Sequence, residues 1–132
     1  MSIFVDASAL VAITAGEPER EALLDRFTAY RRGFWSPISC WEAISAMARS
    51  YEMPIETAIA EVNNTASVLR LTLVEIDRDE LDAALDAYLR YGKRSRHSAK
   101  LNMGDCFAYG CAKTLGAALL YKGDDFVHTD LA

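Results

Sequence analysis

Short apolar runs alternate along the chain with segments of helical periodicity, and this alternation restricts the fold more than any other feature. Ile3-Phe4-Val5 is short, apolar and bounded by polar residues, as a buried strand requires. Phe34-Trp35 ahead of Ser36-Pro37, Leu71 to Ile76, and Ala117 to Tyr121 are further strand candidates. Between them, Pro18 followed by Glu19, Glu21, Ala22, Leu23, Leu24 and Phe27 reads as a helix with proline in its first turn. Ser39-Cys40-Trp41-Glu42 has capping-box spacing, and Ile44, Met47 and Ala48 continue the apolar face of the helix it opens. Pro54 starts a third helix running towards Leu69. Asp77 to Tyr91 is amphipathic with an N-cap at its start, and Gly104-Asp105 opens a last helix that Gly116 ends. Strands alternating with helices predict an α/β fold in which a central parallel sheet carries helices on both faces. The length, 132 residues, fits one domain over the whole chain.

Other classes fall away on composition. Hydrophobic residues make up 52% and charged residues 25%, a globular mix rather than that of a disordered chain or a coiled coil. No apolar run approaches the ~18 residues a membrane span needs. Met1-Ser2-Ile3-Phe4-Val5-Asp6 has no basic stretch ahead of an apolar one, so it is not read as a signal peptide. Cys40, Cys106 and Cys111 are odd in number and form no C-x-x-C pair, and His97 and His128 are the two histidines. A disulfide framework or a zinc knuckle is therefore not expected. Cys106 and Cys111 read as small buried apolar residues, and the expected compartment is reducing and cytoplasmic.

Net charge is −5 but unevenly spread. No acidic residue lies between Asp86 and Asp105, a stretch that holds Arg90, Lys93, Arg94, Arg96 and Lys100. The remainder carries 9 basic and 19 acidic groups. A basic segment of this kind can follow phosphates even on an acidic protein; it can equally be a solvated loop.

The acidic residues are more informative. In a parallel α/β sheet, strand ends and helix starts share one edge, and ligands bind there. Asp6 follows the first strand, and Asp124 and Asp125 follow the last. Glu42 and Asp105 lie in the first turns of helices. All five can meet on one rim. Each has an ordinary reading alone: Asp6 as a cap for a helix beginning near Ala9, Glu42 as the reciprocal partner of Ser39, Asp105 at a positive helix end, Asp124 and Asp125 as turn formers. Together they would repel one another and raise each other's pKa, which a divalent cation would relieve. An oxygen-only donor set suits Mg²⁺, or Mn²⁺.

These residues carry a family resemblance. Asp6-Ala7-Ser8-Ala9-Leu10, Trp41-Glu42-Ala43, the run Leu101 to Tyr109 and the run Leu119 to Phe126 with Thr129-Asp130 resemble, in order and spacing, the motifs of PIN-domain nucleases. Over the whole chain the match is to the VapC toxins of VapBC toxin–antitoxin pairs. The resemblance implies a three-layer α/β/α sandwich and a Mg²⁺-dependent endoribonuclease. It implies Asp6 and Asp105 as principal metal ligands, Glu42 as the acid that completes the cluster, and Ser8 as a hydrogen-bonding support. The fourth acid is Asp124 or Asp125, with Asp124 favoured because it lies nearer the strand end. Lys93, Arg94, Arg96 and Lys100 would hold the RNA substrate. Family members are usually homodimers silenced by a cognate VapB-like antitoxin that fills the site, and arginine would meet the acidic rim well.

Two other classes compete. A receiver-type phospho-acceptor domain would use Asp77 after the third strand and Lys122 after the last, but Asp77-Arg78-Asp79-Glu80 reads better as a helix cap. A non-catalytic binding module would keep the acids for structure alone. A haloacid-dehalogenase-like phosphatase is excluded, because Ser8 stands where its second aspartate belongs. Trp35 and Trp41 read as core or interface residues, His97 as solvent-exposed and His128 as a surface residue. The apolar helices around Ile44, Met47, Ile59 and Val62 can extend from the core into a partner groove.

Overall fold

Successive residues of the first strand bury on opposite faces: Ile3 and Val5 in one apolar cluster, Phe4 in another, all at 0% exposure. A strand covered on both sides needs apolar residues without alternation, and Ile3-Phe4-Val5 meets that need. The computed structural model describes residues 1–132. Its four strands are β1 (Ser2–Val5), β2 (Arg32–Trp35), β3 (Thr72–Leu73) and β4 (Ala118–Leu120). They pair in the order β3-β2-β1-β4, every pair parallel. The helices are α1 (Ala7–Ala15), α2 (Arg20–Thr28), α3 (Pro37–Ser50), α4 (Ile55–Val68), α5 (Arg78–Tyr91) and α6 (Met103–Leu115).

The helices divide between the two faces. Residues of α1, α2, α3 and α4 share a cluster with Ile3, Val5, Trp35 and Leu120. Residues of α5 and α6 pack with Phe4, Phe34 and Leu119. The result is the expected three-layer α/β/α sandwich. Cys106 and Cys111 are buried in the second cluster as free thiols, and Met47 and Val62 belong to the first. No helix is long and apolar enough to cross a membrane.

Several boundaries differ from the sequence reading, each for a local reason. The helix carrying Glu42 starts at Pro37, three residues earlier than expected. Proline suits a first helical position, where its missing N–H costs nothing. The capping box is Ser36 with Ser39, not Ser39 with Glu42, so Glu42 is released from any capping duty. Pro18 precedes α2 rather than lying in its first turn; α1 ends at Gly16, whose φ of 69° is the left-handed cap that glycine favours. The strand expected over 71–76 shrinks to Thr72–Leu73, both exposed. It is the sheet's edge, with one partner strand and little apolar burial to extend it. Of the core and interface readings, Trp35 is core, whereas Trp41 is not core: it is 75% exposed. His97 is half-buried rather than exposed, its Nδ1 accepting from the Ala99 amide and its ring edge-on to Tyr91.

Candidate active site

The carboxyl ends of β1 and β4, the first turns of α1 and α6 and the stretch of α3 from Trp41 to Arg49 surround a cavity of about 410 Å³; with α3 starting at Pro37, Glu42 lies past that helix's first turn rather than in it. Asp6, Glu42, Asp105 and Asp125 line it, with Ser8, Glu17, Trp41, Ser45, Arg49 and Lys122 among its other walls. The rim expected from topology is therefore real for four of the five acids. Of the two candidates for the fourth acid, Asp125 lines the cavity and Asp124, the one favoured from the sequence, does not. The turn after β4 passes through Gly123, at φ 93°, before it reaches Asp125.

Asp6 and Asp105 are each held by one oxygen and leave the other free. Asp6 N-caps α1, its Oδ2 accepting from the Ser8 amide at 3.1 Å and the Ser8 hydroxyl at 2.5 Å. Asp105 closes the capping box of α6: its Oδ2 accepts from the Asn102 amide at 3.1 Å, and Asn102 accepts from the Asp105 amide at 2.8 Å. The ordinary reading of both acids as helix-terminal groups is thus true of Oδ2. The hydrogen bonds from Ser8 and from Asn102 all fall on Oδ2, and neither Oδ1 is a buried atom without a partner. Ser8 does more than bind its neighbour. Its hydroxyl also accepts from the Lys122 amide at 3.0 Å, which ties Asp6 to the segment after β4.

No cation of the chain neutralises this cluster; none of the four acids forms an ion pair. Burial raises the Asp6 carboxyl against the Ser8 hydroxyl and the Ser8 and Ala7 amides, which favour its charge; Asp125 raises it further. Burial, then the charges of Asp6 and Asp105, pushes Glu42 up to about 7. Asp105 also rises to about 7: burial is the largest cause, the charges of Asp125 and Asp6 add to it, and the Asn102 amide and Lys93 oppose it. Glu42 lies directly on the backbone of α6. A methyl group at Gly104 would collide with this carboxylate, so a larger residue there would push Glu42 out of its present position.

Oxygen donors, raised carboxyls and the absence of an ion pair to any of the four acids fit a hard divalent cation. No three acidic, histidine or cysteine side chains form a ready-made cage. A cation such as Mg²⁺, which keeps several waters and takes one or two carboxylates, does not need one.

Outside the four acids, the cavity has a second polar group of its own. Lys122 Nζ pairs with Glu17 at 2.6 Å and Glu19 at 3.7 Å, and Tyr51 donates to Glu17. The Lys122 and Tyr51 hydrogen bonds lower the Glu17 pKa in spite of partial burial. Glu17 and Lys122 are 105 residues apart, and no local pattern announces that pairing. Arg49 was legible: it stands two helical turns after Glu42 on α3. The basic segment divides. Lys93 is close enough to Asp105 to oppose its raised pKa. Lys93 and Arg94 line an apolar groove between α5 and α6, while Arg96 is exposed and Lys100 is bonded to the Ser95 carbonyl. Asp77, the candidate phospho-acceptor, caps α5 and lies outside the cavity.

The family model for the PIN domain matches residues 3–131. A VapC ribonuclease of Rhizobium meliloti is 40% identical, with 97% of this chain and 98% of the relative covered. Ribonuclease VapC30 of Mycobacterium tuberculosis is 40% identical over 97% of this chain and 95% of its own. The chain belongs to the VapC family of PIN domains. A third relative, the ribonuclease VapC of Mycolicibacterium smegmatis, is 41% identical over 97% and 96%. The VapC fold is seen in solved structures too. Mycobacterium tuberculosis VapC20, described as a sarcin-ricin loop cleaving toxin, superposes with a TM-score of 0.69 at 19% identity, over 95% of this chain and 92% of that one. A toxin–antitoxin complex from Klebsiella pneumoniae gives 0.68 at 18%, over 99% and 94%.

Proposed function

We propose that this VapC-family chain is a Mg²⁺-dependent endoribonuclease toxin, hydrolysing RNA phosphodiester bonds at the acidic cavity. The observation that carries the reading is the cluster itself: four carboxylates lining one cavity, two of them raised to about 7, none of them in an ion pair. Asp6 and Asp105 would hold the cation through their free Oδ1 atoms. When bound, the cation supplies an activated water and charge stabilisation for an in-line displacement at phosphorus. Ser8 keeps Asp6 in one orientation by its short hydrogen bond and its link to Lys122. Glu42 exchanges a proton near neutral pH, which suits it to take the proton of the attacking water. Asp125 completes the negative rim. Lys93, beside Asp105, is the member of the basic segment placed to meet the substrate backbone, with Arg94 next to it.

The VapC resemblance carries the rest of the reading: a cytoplasmic homodimer held silent by a cognate antitoxin, whose cationic side chain would occupy the acidic cavity. The test is incubation of purified, antitoxin-free protein with total RNA in Mg²⁺, read by 5′-end mapping. Discrete cuts lost in EDTA and in Asp105→Asn are the expected result. RNA left intact by a folded, Mg²⁺-loaded protein across tRNA, rRNA and mRNA would overturn it.

A further inference from the structure

Two cations line the acidic cavity, and they differ. Lys122 is tied to Glu17 and Glu19, whereas Arg49 has no ion pair. Arg49 shares one stripe of α3 with Trp41 and Ser45, spaced four residues apart. All three line the acidic cavity, and all three also line the groove between α3 and α4. They form the ridge that any extended chain must cross between the two. Trp41 crowns it at 75% exposure, and no aromatic or cationic neighbour covers the indole.

An acidic rim repels a polyanion, so a substrate strand needs a fixed cation close beside it. An exposed aromatic face next to a free guanidinium is what a single strand offers partners for: a base that stacks and a phosphate that pairs. A duplex keeps its bases stacked on each other and cannot use the indole.

We propose that Trp41 and Arg49 hold single-stranded RNA beside the scissile phosphate, Trp41 by stacking on an unpaired base and Arg49 by pairing with a flanking phosphate. The proposal rests on the ribonuclease reading and adds to it the two residues of α3 that position the strand.

The test uses the full chain carrying Asp105→Asn, which leaves RNA intact, and a short single-stranded RNA oligonucleotide. Trp35 is buried, so fluorescence quenching reports Trp41. Quenching on titration is the expected result, weaker with the same sequence in a duplex. Trp41→Ala weakens binding about tenfold, and Trp41→Phe restores most of it without the signal. Arg49→Ala weakens binding to a similar extent and lowers the salt slope by about 0.7, one single-strand phosphate contact. Arg49→Lys recovers part of the affinity. In the cleaving protein the losses fall on KM rather than kcat, and the Mg²⁺-induced rise in Tm is unchanged in both variants. Binding and salt slope unaffected by Trp41→Ala and Arg49→Ala would overturn the proposal. So would variants that bind RNA normally but no longer bind the antitoxin, which would give the ridge to a protein partner. Quenching of Trp41 in a protein that cleaves no RNA would sink the ribonuclease reading and leave the ridge standing.

Discussion

Two aspartates pack against the same helix and meet opposite surroundings. Asp130 reaches α6 along its side, where Lys113 donates to Oδ2 at 2.7 Å and Tyr109 to Oδ1 at 2.5 Å. Burial works against its charge, but Lys113 and Tyr109 hold its carboxyl down at about 2. Asp105, at the start of α6, has three acids for company and rises to about 7. A carboxylate that serves the fold receives its cation from the chain. The four in the cavity form no ion pair, and the proposed Mg²⁺ would supply from solution the charge that relieves their repulsion.

Exchanging charge for its neutral amide should separate the two. Asp105→Asn is expected to cut RNA cleavage by at least about 10²-fold, the scale of one lost electrostatic contact to the transition state. Asp130→Asn should leave cleavage within about threefold, since it touches nothing in the cavity. Initial rates on one end-labelled RNA decide the pair. Equal losses would erase the distinction between them.

Ser8→Ala tests how far the cavity depends on orientation rather than charge. It removes the hydroxyl that fixes Asp6 and links it to Lys122, and cleavage should fall about 10- to 100-fold with all four acids present. A Mg²⁺ titration of the rate should show a weaker apparent affinity in this variant.

The pH dependence of stability should have opposite signs at the two ends of α6. Without divalent cation, Glu42 and Asp105 titrate at about 7 in the folded chain, above their unfolded values. The folded state then binds the extra protons, so stability present at about pH 4 declines as pH rises through about 7. Asp130 does the reverse: its contribution is present above about pH 4 and declines as pH falls towards about 2. Mg²⁺ should flatten the first decline and leave the second. Tm against pH, with Mg²⁺ and with EDTA, shows both limbs; a Mg²⁺-insensitive upper limb would contradict the contrast.

The smallest effect belongs to the structural pair. The Lys113–Asp130 ion pair is about two-fifths exposed on both sides, so solvent screens it. Asp130→Asn should cost about 1 kcal/mol in denaturant unfolding at pH 7.

Much of this was legible from residues in order. Ile3-Phe4-Val5 announces a strand covered on both faces, and the topology of a parallel sheet carries Asp6, Glu42 and Asp105 to one edge. Caps were harder, because Ser36 and Ser39 both precede a helical pattern and Pro37 decides between them only through its fixed backbone. That Asp125 rather than Asp124 lines the cavity depends on the course of the turn after β4, which no periodicity reports. The Glu17–Lys122 pair joins residues far apart in the chain. Trp41 could be read as core or interface from sequence alone, and only its exposure at the cavity separates it from the buried Trp35.

The most direct measurement is a ¹³C NMR titration of the Asp105 carboxyl, with and without Mg²⁺. The expected result is a midpoint near 7 in EDTA that drops sharply once Mg²⁺ is added. A midpoint in the ordinary aspartate range that Mg²⁺ does not move would contradict a cation site at this rim.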